Sequence, residues 1–375
     1  MLEVIVHPLP ELTTEIVESP IPIPGPDEIL VKVEVAASNV KDWLHLTTRN
    51  ISLNSGDDMA GTVHALGENV EEFQLGDRVA AFHPMFIPGG TYAEYAIAPR
   101  HTAFKIPGRM NFEEASTIPL VLTTAALSLF HIQGLPNPWS LPPSSTTTTT
   151  PLKPTPLIIY GASSALGAFE LKLASVSNIH PLIAIAGSSN THILPLLDTS
   201  RGDILIDYRI GVVAMQDAVR TVLHDLGLEA KHAIDCISAD KSWVPISQLL
   251  APGGQVSVVS GAHAYDEDDI PEGVKVMYTF VGAVHGGGYK AGMPKQPVGE
   301  VVQGMPAFAK SLFDWLGGVR GEEGALERGV LRGHPFVVVE GGLGGVGEGL
   351  RMLKSGKAAG RKFVYRISET VGLGK

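Results

Sequence analysis

The spacing of apolar and polar positions divides the chain into two kinds of sequence. Through the first third, short stretches alternate with a period of two: EVIVHPL at 3–9, EILVKVEV at 28–35, GDDMAGTVHAL at 56–66, GDRVAAF at 76–82 and GGTYAEYAIAP at 89–99. Such alternation turns one face of a pleated strand toward a core, and the Gly, Pro and Asp residues between stretches mark turns. SNVKDWLHL at 38–46 predicts one short helix among these strands. Because no helix alternates with each strand, this part predicts a mostly β domain that closes on itself. A helical pattern, LVLTTAALSLFHI, occupies 120–132. Residues 134–156 are rich in Pro, Ser and Thr and predict a solvated surface insertion, since that composition buries too little apolar surface to order itself.

From residue 157 the pattern changes. Six apolar runs read as strands: LIIY (157–160), PLIAIAG (181–187), DILIDY (203–208), HAIDCI (232–237), GGQVSVVS (253–260) and VKVMYTFVGAV (274–284). Helical patterns lie between them, running to about Ser177, through ILPLLD at 193–198, over 214–226 and over ISQLL at 246–250. Strand and helix in alternation predict an α/β, doubly wound parallel sheet whose ligand crevice lies at the C-terminal strand ends. A helix is expected at about 299–316. The chain then ends in a strand, a helix and a strand that do not continue the repeat and are expected to return to the first domain. The expected division is 1–120 with 318–375 for the mostly β domain and 121–317 for an inserted nucleotide-binding domain.

Composition narrows the function. A length of 375 residues allows two domains, and a net charge of −11 opposes binding to nucleic acid or an anionic membrane surface. Without a basic N-terminal region before an apolar run, or any apolar stretch of the ~20 residues a membrane helix needs, a cytoplasmic protein is expected. Cys236 is the single cysteine, which excludes an intrachain disulfide and a cysteine-rich zinc site. Its apolar setting, HAIDCIS, predicts a buried strand thiol. His45, His64 and His83 are scattered without a metal-ligand spacing, so no metal is expected.

The chemistry centres on LIIYGASSALG at 157–167, a strand, a turn of small residues and the start of a helix. Small residues let the backbone turn sharply and let a phosphate approach the helix N-terminus, where free N–H groups and the dipole favour an anion. Gly161, Ser163, Ser164, Ala165, Leu166 and Gly167 are therefore candidate cofactor residues. In the turn after the second strand, Ser188, Ser189, Asn190 and Thr191 offer neutral hydrogen-bonding groups and no carboxylate to repel a 2′-phosphate, which favours NADPH.

GDRV at 76–79, GGTYAEY at 89–95, IPLVLTTAA at 118–126 and SGKAAGRKFVYRI at 355–367 together resemble the medium-chain dehydrogenases/reductases, which join a GroES-like catalytic domain to an inserted Rossmann domain. The chain is most similar to the zinc-free members, the quinone-oxidoreductase-like proteins and the fungal trans-acting enoyl reductases that serve polyketide synthases. Asn39 and Asp57 stand where zinc-dependent members carry Cys and His, and neither replaces a thiolate or an imidazole at a catalytic zinc. The resemblance implies that Asn39, Thr124, Tyr208, Ser260, Gly261, Ala358 and Ala359 contact the cofactor, and that Thr124, Phe280, Val281, Gly282, Ala283 and Val284 line the substrate pocket. Tyr208 would meet the 2′-phosphate or pack at a strand end. Each Ser or Thr would serve the ligand or cap a helix.

The implied reaction is hydride transfer to the β-carbon of an α,β-unsaturated carbonyl or enoyl thioester, free or bound to a carrier protein, followed by protonation of the α-carbon. Relatives often read NPxDWKH where this chain reads NVKDWLH, so Leu44 replaces a lysine. Lys41 compensates if its helix turns it inward. Lys41, Asp42 and Tyr92 are the catalytic candidates, with Asp42 also suited to holding backbone and Tyr92 also suited to packing. The alternatives are a quinone oxidoreductase and an NADPH-binding protein without redox activity, acting in cyclisation or as a structural partner. A monomer or a homodimer fits the resemblance.

Overall fold

A computed structural model describes residues 1–140, 154–261, 263, 265–286, 305–319 and 321–372. The described residues form two compact units: 1–120 with 282–286 and 305–372 (excepting 320), and 121–140 with 154–281 (excepting 262 and 264). In chain order the first unit contains β1 (Leu2–His7), β2 (Thr13–Glu18), β3 (Glu28–Ala37), α1 (Lys41–Arg49), β4 (Asp58–Leu66), β5 (Arg78–Phe82), β6 (Tyr95–Pro99), β7 (Ala103–Lys105) and α2 (Phe112–Ser116). α3 (Pro119–Ala126) follows and continues as a π-helical stretch, Leu127–Ile132. The second unit contains β8 (Leu157–Tyr160), α4 (Ala165–Val176), β9 (Leu182–Ala186), β10 (Ile204–Asp207), α5 (Val212–Leu226), β11 (His232–Asp235), α6 (Trp243–Ser247), β12 (Gln255–Val258) and β13 (Lys275–Tyr278). The chain then rejoins the first unit through α7 (Met305–Gly317), β14 (Phe336–Val338), α8 (Val346–Lys354) and β15 (Lys362–Arg366).

In the first unit the sheet runs β14-β15-β3-β4-β5-β7, with β6 also paired to β3 and with β1 and β2 as a separate antiparallel pair. The alternating positions supply the core: Ile29, Val31, Val33, Val63, Val79 and Ala96 are buried in one cluster with Tyr92, Tyr365 and Leu350. The second unit is a parallel sheet in the order β10-β9-β8-β11-β12-β13. Its strand direction reverses its lateral progression between β8 and β11, the place where a doubly wound sheet opens a ligand crevice. All six apolar runs form its strands. Cys236 follows β11 as a buried thiol whose pKa burial pushes well up.

Several expectations are corrected. The stretch 193–198 is not an α-helix but a 3₁₀ turn, Leu194–Leu196, because Pro195 lacks the N–H that a helix interior needs. The sixth apolar run, 274–284, is strand only to Tyr278, and Val281–His285 is a 3₁₀ turn. The domain boundary expected at 317/318 falls at 281/282. α7 packs on β7 and the Arg100–Thr102 turn, with the Phe313 and Phe104 rings 5.5 Å apart. Residues 299–304 of that expected helix lie outside the described residues, as do 141–153 of the expected insertion. The insertion's first residues are not fully solvated: Leu135 is buried and the Trp139 ring meets Phe130 edge-to-face at 5.2 Å. β2 and β7 were not marked by the apolar pattern, being short and, in β2, largely exposed. Among the described residues no helix is long and apolar enough to cross a membrane.

Glu170, wholly buried on α4, has its carboxyl pushed well above the ordinary value by burial, against a smaller opposing pull from the Ser128 hydroxyl. A folded-state pKa above the unfolded one means that stability is lost as pH rises from the unfolded pKa toward the folded one. Glu170→Gln removes that loss. Its melting temperature relative to the parent protein is expected to rise steadily from pH 5 to pH 8 in scanning calorimetry, and a difference independent of pH would contradict the assignment.

Candidate active site

The first unit gathers a buried polar cluster at the start of α1. Residue 39 precedes the helix with its backbone N–H donating to Asp42 Oδ2 at 2.8 Å, which turns Asp42 inward. The Tyr92 hydroxyl, on the stretch before β6, donates to the same Asp42 oxygen at 2.5 Å. Lys41 also turns inward. Its Nζ donates to the Ser55 carbonyl at 2.7 Å and lies 2.9 Å from Asp42 Oδ1 and 2.5 Å from Asp57 Oδ2. The side chains of Asp42 and Asp57 are 0% and 2% exposed, whereas that of Lys41 is 14% exposed. Lysine is thus the one of the three ions that meets solvent.

A second ion pair adjoins the first. Lys362 Nζ, from β15, donates to Asp58 Oδ2 at 2.6 Å and to Asn39 Oδ1 at 2.9 Å. Asn39 Nδ2 donates to Asp58 Oδ2 at 2.9 Å, and the Leu120 N–H donates to Asp58 Oδ1 at 2.7 Å. Asn39, expected to contact the cofactor, therefore has both ends of its amide engaged within the protein.

Electrostatics follow burial. Desolvation would lower the Lys41 pKa, but Asp42 and Asp57 outweigh it and raise the pKa above the ordinary lysine value. Burial raises Asp42 against the pull of Lys41 and the Tyr92 hydroxyl, and raises Asp57 to about 8 against Lys41. Burial, with the neighbouring Asp42 charge, pushes the Tyr92 phenol well up. Tyr92 is fully buried, so the packed alternative describes its ring and the Asp42 hydrogen bond describes its hydroxyl. His45, on the next turn of α1, stacks on Phe86 with ring centroids 5.4 Å apart. Burial, then the Lys41 and Arg49 charges, hold it down to about 3, so it is neutral. Among the described residues no group of three His, Cys, Asp or Glu side chains is arranged to hold a metal ion.

In the second unit the glycine turn fits a dinucleotide phosphate. Gly161 has φ +75°, and a Cβ on Gly167 would come within 2.5 Å of the Gly161 carbonyl oxygen, so α4 sits this close to the turn only with glycine there. Ser164 caps α4, accepting from the Gly167 N–H at 3.0 Å. Ser163, Ala165 and Leu166 are half-buried beside it, at the N-terminal end of the helix where unpaired N–H groups accumulate. After β9, Ser188, Ser189 and Thr191 are exposed, while Asn190 closes the turn by donating to the Gly187 carbonyl at 2.7 Å. Tyr208 follows β10. A Cβ on Gly187 would lie 3.0 Å from its ring and 3.4 Å from its hydroxyl, and the tyrosine is 46% exposed. The ring lies over Gly187, which precedes the 188–191 turn. The neighbouring Arg209 is held by Asp207 through Nε at 2.9 Å.

Other expected residues are spread. Thr124 is buried on α3. Ser260 and Gly261 follow β12 half-buried, with the Ser260 carbonyl accepting from the Tyr265 hydroxyl at 2.6 Å. Phe280 stacks on Tyr278 with centroids 6.3 Å apart. Val281 and Val284 are buried, Gly282 and Ala283 half-buried, and the Val284 carbonyl pairs with the His101 ring at 3.0 Å. Ala359 is exposed with φ +47°, an unfavourable conformation for alanine, and Ala358 packs against the first unit's core.

Sequence reasoning missed four features of these sites. Asp57 is the partner of Lys41, and Asp58 and Lys362 anchor Asn39. Ser238, Asp240 and Lys241, after β11, all have positive φ, at 48°, 50° and 57°. That loop is pinned where Asp235 accepts from the Ile237 and Ser238 N–H groups, each at 2.9 Å. Consecutive acids in GDDMAG were a signal for the first two features; nothing periodic marks the others.

A GroES-like fold carrying an inserted Rossmann sheet defines an alcohol-dehydrogenase-like oxidoreductase with a nicotinamide cofactor site. Residues 25–108 match the Alcohol dehydrogenase GroES-like domain. The trans-enoyl reductase fsr4 of Gibberella fujikuroi is 37% identical over 329 residues, covering 87% of each chain. The enoyl reductase component lovC of the lovastatin nonaketide synthase of Aspergillus terreus is 26% identical over 93% of this chain and 92% of its own. Among solved structures, a putative zinc-dependent alcohol dehydrogenase of Rhizobium etli superposes with a TM-score of 0.74 at 20% identity, over 97% of this chain and 98% of its own. The chain belongs to the trans-enoyl reductase family of the medium-chain dehydrogenase/reductase superfamily.

Lys362→Met leaves the buried Asp58 carboxylate without its cation, which is expected to cost about 3–5 kcal/mol. Urea denaturation should show that loss and its partial recovery in the Lys362→Met/Asp58→Asn double variant. Equal stability of the single variant and the parent would contradict the ion pair's role.

Proposed function

We propose that the protein is an NADPH-dependent, trans-acting enoyl reductase that acts with a fungal polyketide synthase. The observation that carries this reading is the inward-turned Lys41, an ammonium held between Asp42 and Asp57 and still 14% exposed. It supplies the proton-donating group that Leu44 removes from its expected place. The substrate is an α,β-unsaturated thioester, and the relatives' names favour one carried by a synthase.

When bound, the nicotinamide supplies a hydride. The protein's own residues do the rest. The Gly161–Gly167 turn and the N-terminus of α4 receive the pyrophosphate. Ser188, Ser189, Thr191 and the Tyr208 phenol receive the ribose and its 2′-phosphate, which supports NADPH over NADH since no carboxylate lies on that turn. Lys41 stabilises negative charge developing on the substrate oxygen and protonates the α-carbon. Tyr92 and the residue 39 N–H hold Asp42, and Asp42 orients Lys41. The division of the chain into a catalytic unit and an inserted cofactor unit serves this assignment of roles. The quinone oxidoreductase reading remains as an outcome of the test, because such a reaction needs no α-carbon proton.

Titration of NADPH fluorescence followed by crotonyl thioester and then a simple quinone tests the proposal. NADPH binding with thioester-dependent oxidation is expected; oxidation by quinone alone, or no NADPH binding at micromolar concentration, overturns it. Tyr208→Ala should weaken NADPH more than NADH. Lys41→Met should lower kcat by roughly 10²-fold or more while leaving the NADPH titration unchanged.

A further inference from the structure

The cluster around Lys41 has two buried carboxylates for one partly exposed ammonium. Asp58, next along the chain, is matched by Lys362 at 2.6 Å and takes no part in that imbalance. If Asp42 and Asp57 were both ionised, a net negative charge would sit in the core without a counter-ion, which burial disfavours strongly. One carboxyl therefore retains a proton. Hydrogen bonding decides which. Asp42 Oδ2 accepts from the residue 39 N–H and from the Tyr92 hydroxyl, and bonds donated to a carboxylate favour its ionised form. For Asp57 the one contact to its side chain on which the assignment rests is the Lys41 ammonium, 2.5 Å from Oδ2.

We propose that Asp57 is the proton store of the active site, a positioning residue that carries a proton at neutral pH and returns it to Lys41 after each turnover. This rests on the enoyl reductase reading for its catalytic part. As hydride adds to the β-carbon, the C=C electron pair moves to give an enolate. Lys41 gives a proton to the α-carbon and becomes a neutral amine. The Asp57 carboxylic acid then gives its proton to that amine, restoring the ammonium and becoming a carboxylate, and a solvent proton entering beside the exposed Lys41 restores the acid. Of these three side chains Lys41 is the one that reaches solvent, so a store behind it recharges the donor from within the cluster.

The pH dependence follows. The groups facing Asp57 are Lys41 and Asp42 from α1, Asp58 with its partner Lys362, and the Tyr92 phenol. His45 and His83, which feel the Lys41 charge, are both held below the ordinary histidine value by burial and stay neutral. Burial raises Asp57 to about 8. The store is full below pH 8 and empties above it.

Infrared difference spectroscopy on the whole protein reads the store without turnover. A carboxylic-acid C=O band should be present at pH 6.5, disappear as pH rises through about 8, and be absent from Asp57→Asn. Glu170→Gln identifies the separate, persistent band of that buried acid. A titrating band that survives in Asp57→Asn, or no titrating band in the parent protein, overturns the proposal. The kinetic arm uses NADPH and crotonyl thioester: kcat of the parent should fall above pH 8, Asp57→Asn should lose that limb while keeping its NADPH affinity, and Asp57→Glu should restore it. An unchanged limb in Asp57→Asn also overturns the proposal. A parent protein whose band titrates but which reduces no thioester would refute the enoyl reductase reading and leave the proton on Asp57 intact.

Discussion

The Asp58 carboxylate fixes the geometry on which the candidate catalytic cluster depends. It accepts hydrogen bonds from the Leu120 N–H, the Asn39 amide and the Lys362 ammonium, groups that are far apart in sequence and belong to different elements. A carboxylate taken out of water is costly unless donors and a cation lie close, and here three donors, one of them the Lys362 ammonium, meet it. Once Asn39 is held, its backbone N–H is aimed at Asp42. Asp42 in turn holds the Tyr92 hydroxyl and faces Lys41. Loosening Asp58 would therefore loosen Lys41, the proposed proton donor.

A second constraint concerns which polar groups remain available to a ligand. In the glycine turn, Ser164 caps its own helix; after β9, Asn190 closes its own turn; in the 3₁₀ turn at 281–285, the Val284 carbonyl engages His101. These residues shape the backbone. Ser188, Ser189, Thr191 and the Tyr208 phenol are left facing solvent at the ends of β9 and β10. The same division holds in the candidate catalytic cluster, where Tyr92, Asp42 and Asn39 are spent on one another and Lys41 reaches outward.

Much of the fold was legible because its signals are local. Each strand of the parallel sheet is a compact apolar run, and the period-two stretches gave β3, β4, β5 and β6. What failed was set by packing or by a single residue. Pro195 breaks a segment whose leucines suggested a helix, and α7 joins the first unit through Phe313 against Phe104, a contact that no periodicity announces. Of the candidate site, the contacts among three residues were legible. Lys41, Asp42 and Tyr92 were named as candidates, and they do meet. Asp57 was noticed for what it replaces, not for the lysine it holds. Lys362 lay inside a recognised stretch, but its partner Asn39 is 323 positions away, and a pairing across that distance leaves no mark in spacing.

The most direct test of hydride delivery with protonation by the protein is the position of isotope in the product. Crotonyl thioester reduced with NADPH deuterated at C4 should carry that deuterium on the β-carbon, and reduction with unlabelled NADPH in heavy water should place solvent deuterium on the α-carbon. A reduced thioester with no cofactor-derived deuterium at the β-carbon, or with no solvent deuterium at the α-carbon, would contradict the account.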